Sequence, residues 1–269
     1  VNKKAVLLVL ALLLSLIILV FGKQFYDFKI SHTKADSIKS EKIFAKQSAK
    51  EQEQIKAKNI AETKAIYNKH KDKTLVYSPF GDSLGVGLYA SSKNNRYVSV
   101  LSNLIHKKMG YDVKIMPGST VSGSGLTDNG IPNIQKIISE KPDLVTIEFG
   151  TNDSDGSRSK YLTPDQFKIK LETVVDELQK QKKSPKIILV TTWNIGQKSI
   201  AYDSVIETVG KEKNVHVADI SSVWSNRIDT ITPKGDSTPF GISDGFHPND
   251  RGHKEIAEAI YKKAYDLLK

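Results

Sequence analysis

The chain has 269 residues, room for one large or two small domains, and 39% of them are apolar, enough for a sizeable core. It contains no cysteine, which excludes disulfides, thiol catalysis and cysteine metal sites. A net charge of +10 would suit a nucleic-acid binder only if a folded domain carried it; instead residues 23–73 hold 13 Lys against 7 Asp and Glu, and residues 74–269 are nearly neutral.

Residues 5–21 carry no charge. As a helix this run would be about 26 Å long, near the lower limit for crossing a bilayer. The following Gly22-Lys23-Gln24 is not the small-x-small pattern of a signal-peptidase site, and without cysteine there is no lipoprotein anchor. Residues 1–22 are therefore expected to form an uncleaved transmembrane anchor, with a cleaved signal peptide and secretion as the alternative. Lys3 and Lys4 before the run nearly balance Lys23, Lys29 and Lys34 after it. The export-like N-terminus then favours a single-pass protein of the cell membrane with its large domain outside.

Residues 24–72 are rich in Lys, Glu, Gln and Ala and contain neither Gly nor Pro, which favours helix. Their apolar positions keep no heptad, so the expectation for 23–73 is a charged helical stalk and not a coiled coil. Its positive charge is expected to be a solvated helix surface first, and beside a membrane would also attract anionic lipid or wall polymer.

From Thr74 onward short β-branched runs alternate with helical segments, the pattern of a parallel sheet covered by helices. Strands are expected over 75–78, 113–116, 144–149, 187–192 and 215–218. Helices are expected over 97–109, 131–139, 164–182, 199–211 and 249–268. Right-handed crossovers of these lengths give a three-layer α/β/α sandwich with a five-stranded parallel sheet, over residues 74–269. No internal repeat and no further boundary interrupts it.

In such a sheet ligands bind outside the carboxyl ends of the strands. After the first strand, Phe80-Gly81-Asp82-Ser83-Leu84-Gly85 places Ser83 on a glycine-flanked turn, where glycine lets the backbone bend without a Cβ in the way. After the second comes the small-residue loop 116–125, whose backbone N–H groups can approach a ligand closely or merely link two elements. After the third, Gly150-Thr151-Asn152-Asp153 sets an amide side chain at the strand tip. Ahead of the final helix, Asp244-Gly245-Phe246-His247 puts an acid three residues before a histidine, a spacing that lets the carboxylate orient one imidazole nitrogen while the other faces the site. Asp153 and Asp155 lack the paired His or carboxylate spacing of a metal site, and no metal or cofactor is expected. His253, on the final helix, is expected to be structural.

These four blocks, in this order, closely resemble the SGNH or GDSL family of serine esterases and lipases, over residues 74–269. The resemblance implies the flavodoxin-like SGNH fold, with Ser83 as nucleophile, His247 as general base and Asp244 as its orienting partner. It also implies an oxyanion hole made by the backbone N–H groups of Ser83 and Gly123 and the side-chain amide of Asn152. Family members often carry an Asn ahead of the second-block glycine, where this chain has Gly118, so Gly118 and Gly125 compete with Gly123 for that role. An α/β-hydrolase would need several strands before its nucleophile and an acid far from its histidine; neither holds here.

The implied activity is hydrolysis of carboxylic esters through an acyl-serine, with short acyl esters on cell-envelope glycans as expected substrates. Lipid esters, transfer of the acyl group to a sugar, and a non-catalytic wall-binding role are the alternatives. Leu84, Tyr89, Trp193 and Phe246 are the expected substrate-lining side chains.

Overall fold

The computed structural model describes the backbone of residues 3–269 and the side chains of residues 12–269 except 35, 36, 38 and 40. Helix α1 runs from Lys3 to His70, as the absence of Gly and Pro beyond Gly22 favours. Two compact units divide the chain, Val1–Glu62 and Thr63–Lys269.

In the first unit the large apolar side chains from Leu12 to Phe21 are exposed. Among the described residues no helix is long and apolar enough to cross a membrane. The first eleven side chains of the expected anchor over 1–22 lie outside the described residues, and the structure does not support that span.

The second unit is built on a parallel sheet. Its strands are β1 (Thr74–Gly81), β2 (Asp112–Ile115), β3 (Ser119–Thr120), β4 (Leu144–Glu148), β5 (Lys186–Val190) and β6 (His216–Ala218). The order is β2-β1-β4-β5-β6, and β3 pairs with β1. The sheet therefore has six strands where five were expected. The extra one arises because β1 runs on to Gly81, and Phe80 and Gly81 pair with Ser119 and Thr120 beyond the end of β2. Without β3 the order is that of a doubly wound fold, which reverses direction at β1 and opens its ligand crevice there.

The remaining α-helices among the described residues are α2 (Ser83–Val86), α3 (Tyr97–Met109), α4 (Ile131–Ser139), α5 (Pro164–Gln179), α6 (Ser199–Glu212), α7 (Ser221–Trp224) and α8 (Asp250–Leu268). Alternate residues of the central strands serve opposite faces. Ile188 and Val190 join Leu101 and Ile105 of α3 and Ile256 and Ile260 of α8 in one core. Ile187 and Leu189 join Ile137 of α4, Leu171 of α5 and Ile206 of α6 in the other. Being covered on both sides is why β4 and β5 read as nearly continuous apolar runs. The last turn of α1 belongs to this unit: Ile66 is buried in the first core. A separate antiparallel pair, β7 (Ser237–Thr238) and β8 (Gly241–Ile242), precedes the Asp244 turn.

Candidate active site

Strand β1 ends at the crevice, and the chain turns there into the single-turn helix α2. Asp82 caps it, its Oδ1 accepting the Leu84 N–H at 3.1 Å. Gly81 and Gly85 are needed for reasons other than the one the turn suggests: neither has a positive φ. A Cβ on Gly81 would lie 2.7 Å from the Glu148 carbonyl oxygen, and one on Gly85 would lie 2.5 Å from the Thr120 methyl. Close approach of neighbouring strands excludes side chains at both positions.

This packing presents Ser83 to the loop before α8. His247 Nε2 is 2.9 Å from Ser83 Oγ, and His247 Nδ1 is 2.7 Å from Asp244 Oδ2. A carboxylate only accepts, so Nδ1 carries the proton that bonds Asp244, and Nε2 faces the serine hydroxyl, the shorter of that hydroxyl's two contacts, the other being Asp82 Oδ1 at 3.3 Å. Asp244 is itself fixed by the Phe246 and His247 amides, which donate to its Oδ1 at 2.8 and 3.3 Å. Partial burial pushes the Asp244 carboxyl up, but the Phe246 amide and the adjacent His247 outweigh it and leave the pKa below its ordinary value. Tyr89 and Phe246 meet the imidazole edge to face, with centroids 5.4 and 5.1 Å away.

The donors around Ser83 come from three loops. The 119–125 segment is well anchored. Val121 N donates to the Gly81 carbonyl, and the buried Asn129 donates to the Gly81 and Ser119 carbonyls while accepting from Ser119 Oγ. Of the glycines of the 116–125 loop, Gly118 N donates to Glu140 and Gly125 N to Asp128. Gly123, at φ 74°, lines the cleft, and its N–H meets no acceptor among the described residues. Asn152 also lines the cleft. Its Nδ2 donates to Asp82 Oδ2 at 2.7 Å and to the Ser124 carbonyl at 3.0 Å. Asp153 faces inward and accepts the Leu126 and Gly150 amides, and burial pushes its pKa up to about 6.

Beneath the serine lie two carboxyls, Asp82 and Glu148, both sealed from solvent. Glu148 Oε2 accepts the Asp82 N–H at 3.3 Å, and Oε1 has no partner among the described residues. Burial raises both pKa values. For Glu148 the Asp82 charge adds to burial in opposing ionisation.

The cleft encloses about 600 Å³ over Ser83 and His247. Phe246 lines it. Leu84 and Trp193, expected as lining, instead point into the core with 1% and 0% exposure, and Trp193 Nε1 donates to the Phe246 carbonyl. Tyr89 contacts the imidazole ring and its hydroxyl donates to the Ile242 carbonyl. His253 is buried, bonded through Nε2 to the Leu88 carbonyl, and burial lowers its pKa to about 4. Among the described residues no three His, Asp or Glu side chains gather to hold a metal.

A serine, a histidine and an aspartate in series at the switch point of a doubly wound sheet are the arrangement of an SGNH-type hydrolase. The chain belongs to the GDSL-like lipase/acylhydrolase family, a family of carboxylic ester hydrolases, whose model matches residues 77–260. It is 31% identical over 147 residues to an acetylxylan esterase of Xylanibacter ruminicola, covering 45% of this chain and 28% of that protein. The chain thus spans well under half the length of that curated relative. Among solved structures, a family 3 carbohydrate esterase of Clostridium thermocellum shares the fold at TM-score 0.59 and 19% identity, over 73% of this chain and 98% of that one. An acetyl xylan esterase, AlAXEase, does so at TM-score 0.55 and 21% identity, over 70% and 98%.

Proposed function

We propose that the chain hydrolyses short acyl esters, acetyl above all, on polysaccharide through an acyl-serine at Ser83. The observation that carries this is the unbroken series Asp244, His247 and Ser83, with bonds of 2.7 and 2.9 Å, opening on the cleft. His247 takes the serine proton as Oγ attacks the ester carbonyl, then gives it to the leaving alcohol; Asp244 orients the ring and stabilises the imidazolium. Water repeats the sequence to release the acid.

The charge that develops on the carbonyl oxygen is met by the Ser83 and Gly123 N–H groups and by Asn152 Nδ2. Each well-placed donor of this kind is worth about 3 kcal/mol in the transition state. The free Gly123 N–H supports that glycine over Gly118 and Gly125, whose amides are already bonded. An oxyanion takes its share of Asn152 Nδ2 by replacing the longer bond, to the Ser124 carbonyl.

The cleft supports a glycan over a lipid ester. Leu88, Ile195 and Phe246 are its apolar lining residues, set among Asn194, Lys198, Arg158 and other polar groups that can hydrogen-bond a sugar. The relatives named for acetyl xylan support the acetyl group. Release of acetate from an O-acetylated polysaccharide, together with aryl esters from acetyl to long acyl, tests the reading: turnover should fall steeply with chain length. Rising turnover towards long chains would overturn it.

The uncharged run over 5–21 supports a further part of the proposal, that the N-terminal segment tethers the enzyme to the cell membrane with the catalytic unit outside. The exposed side chains from Leu12 to Phe21 fit a lipid environment.

A further inference from the structure

Arg158 has no place in the serine, histidine and aspartate series, yet it touches two of the three loops that carry oxyanion donors. Its Nη1 donates to the Gly123 carbonyl at 2.6 Å and to Asn152 Oδ1 at 2.7 Å. Its Nε faces Asp155 Oδ2 at 3.8 Å, which steadies the guanidinium from behind. Both acceptors belong to cleft-lining residues: the Gly123 N–H has no acceptor among the described residues, and Asn152 Nδ2 reaches across to Asp82 Oδ2.

From this geometry we infer that Arg158 is a positioning residue that assembles the oxyanion hole by pinning the Gly123 loop to Asn152. The inference rests on the esterase reading of the same site. Its chemistry follows from what each group can do. A guanidinium only donates and a carboxylate only accepts, so Arg158 on one side and Asp82 on the other admit a single orientation of the Asn152 amide. Turned over, Nδ2 would face the guanidinium and Oδ1 would face Asp82, with repulsion at both ends. The bond to the Gly123 carbonyl acts on the other loop, holding in place a cleft-lining residue with left-handed backbone whose N–H meets no acceptor among the described residues. A fixed dipole costs no reorganisation when charge develops, and a loose one does.

The motivating contacts involve no substrate, so the effect belongs to the transition state. On a small neutral ester such as p-nitrophenyl acetate, Arg158→Ala in the full chain should lower kcat by about 10- to 100-fold with KM changed less than about twofold. Arg158→Lys keeps one donor and should recover part of that loss. Added guanidinium at sub-denaturing concentration should partly restore Arg158→Ala and leave the wild type unimproved. Combining Arg158→Ala with Asn152→Ala should cost less than the two single losses together, since the Asn152 share of the Arg158 effect is already gone and only its hold on the Gly123 loop remains to be lost.

A wild-type kcat in a folded Arg158→Ala protein would overturn the inference, as would a loss confined to KM, which would make Arg158 a binding group. Additivity with Asn152→Ala would overturn it too. Ser83→Ala separates this from the esterase reading: if that variant is inert while Arg158→Ala is fully active, only the clamp fails, and if Ser83→Ala is fully active, the esterase reading fails.

Discussion

Glu148→Gln asks whether the carboxyl sealed beneath the nucleophile turn carries its proton in the folded enzyme. Burial first, and the Asp82 charge second, hold its pKa well above the ordinary value of 4.5. An acid raised in this way takes up a proton on folding. Its contribution is complete below the ordinary value and is lost as the pH rises towards the folded one, at about 1.4 kcal/mol per pH unit for one full proton. Glutamine cannot ionise, and its carbonyl still accepts the Asp82 N–H that Glu148 Oε2 accepts at 3.3 Å. At the acidic end of the range the substitution should therefore cost no more than about 1 kcal/mol. Above pH 4.5 the variant should gain on the wild type with a slope approaching the one-proton limit. Urea denaturation of the full chain across pH 4.5 to 8 reads this directly, followed by the fluorescence of Trp193 and Trp224, the chain's two tryptophans, both buried. A stability difference that stays flat with pH, or one that increasingly favours the wild type as pH rises, would refute the reasoning and show that the folded state uses an ionised Glu148.

Asn152→Ala should lower kcat about 100-fold or more with little change in KM, because the oxyanion exists only in the transition state; steady-state kinetics on a short aryl ester decide it. His247→Ala should be worse still, leaving the serine without a base, and Asp244→Asn should fall between the two because it acts through imidazole orientation. Gly123→Ala forces a Cβ onto a φ of 74° and within 3.1 Å of the Arg158 guanidinium, so it should lower kcat in a protein that stays folded by circular dichroism. For location, the full chain should fractionate with membranes and a chain lacking residues 1–22 should not; equal distribution of the two would count against the tether.

The order of elements and the gathering of Ser83, Asn152, Asp244 and His247 at one sheet edge were legible because strand patterning repeats and because ester chemistry demands those residue types after successive strands. Other features left no such trace. Strand β3 is two polar residues long and exists only because Phe80 and Gly81 run past the end of β2, a pairing that no local pattern encodes. Leu84 and Trp193 sit beside site residues in sequence but turn inward, since the chain there alternates between crevice and core. Asn129, Glu148 and Arg158 act through partners 6 to 66 residues away, so their importance appears only once the loops are folded together. The glycines of the nucleophile turn were legible as glycines but not for their cause, which is contact with Glu148 and Thr120 across the sheet.

The central claim is that Ser83 becomes acylated. Mixing the full chain with p-nitrophenyl acetate, quenching in acid within the first turnovers and mapping the peptides by mass spectrometry tests it most directly. An acetyl group on Ser83, absent from Ser83→Ala together with its turnover, is the result expected. Acetylation of another residue in its place, or wild-type turnover by Ser83→Ala, would contradict the account.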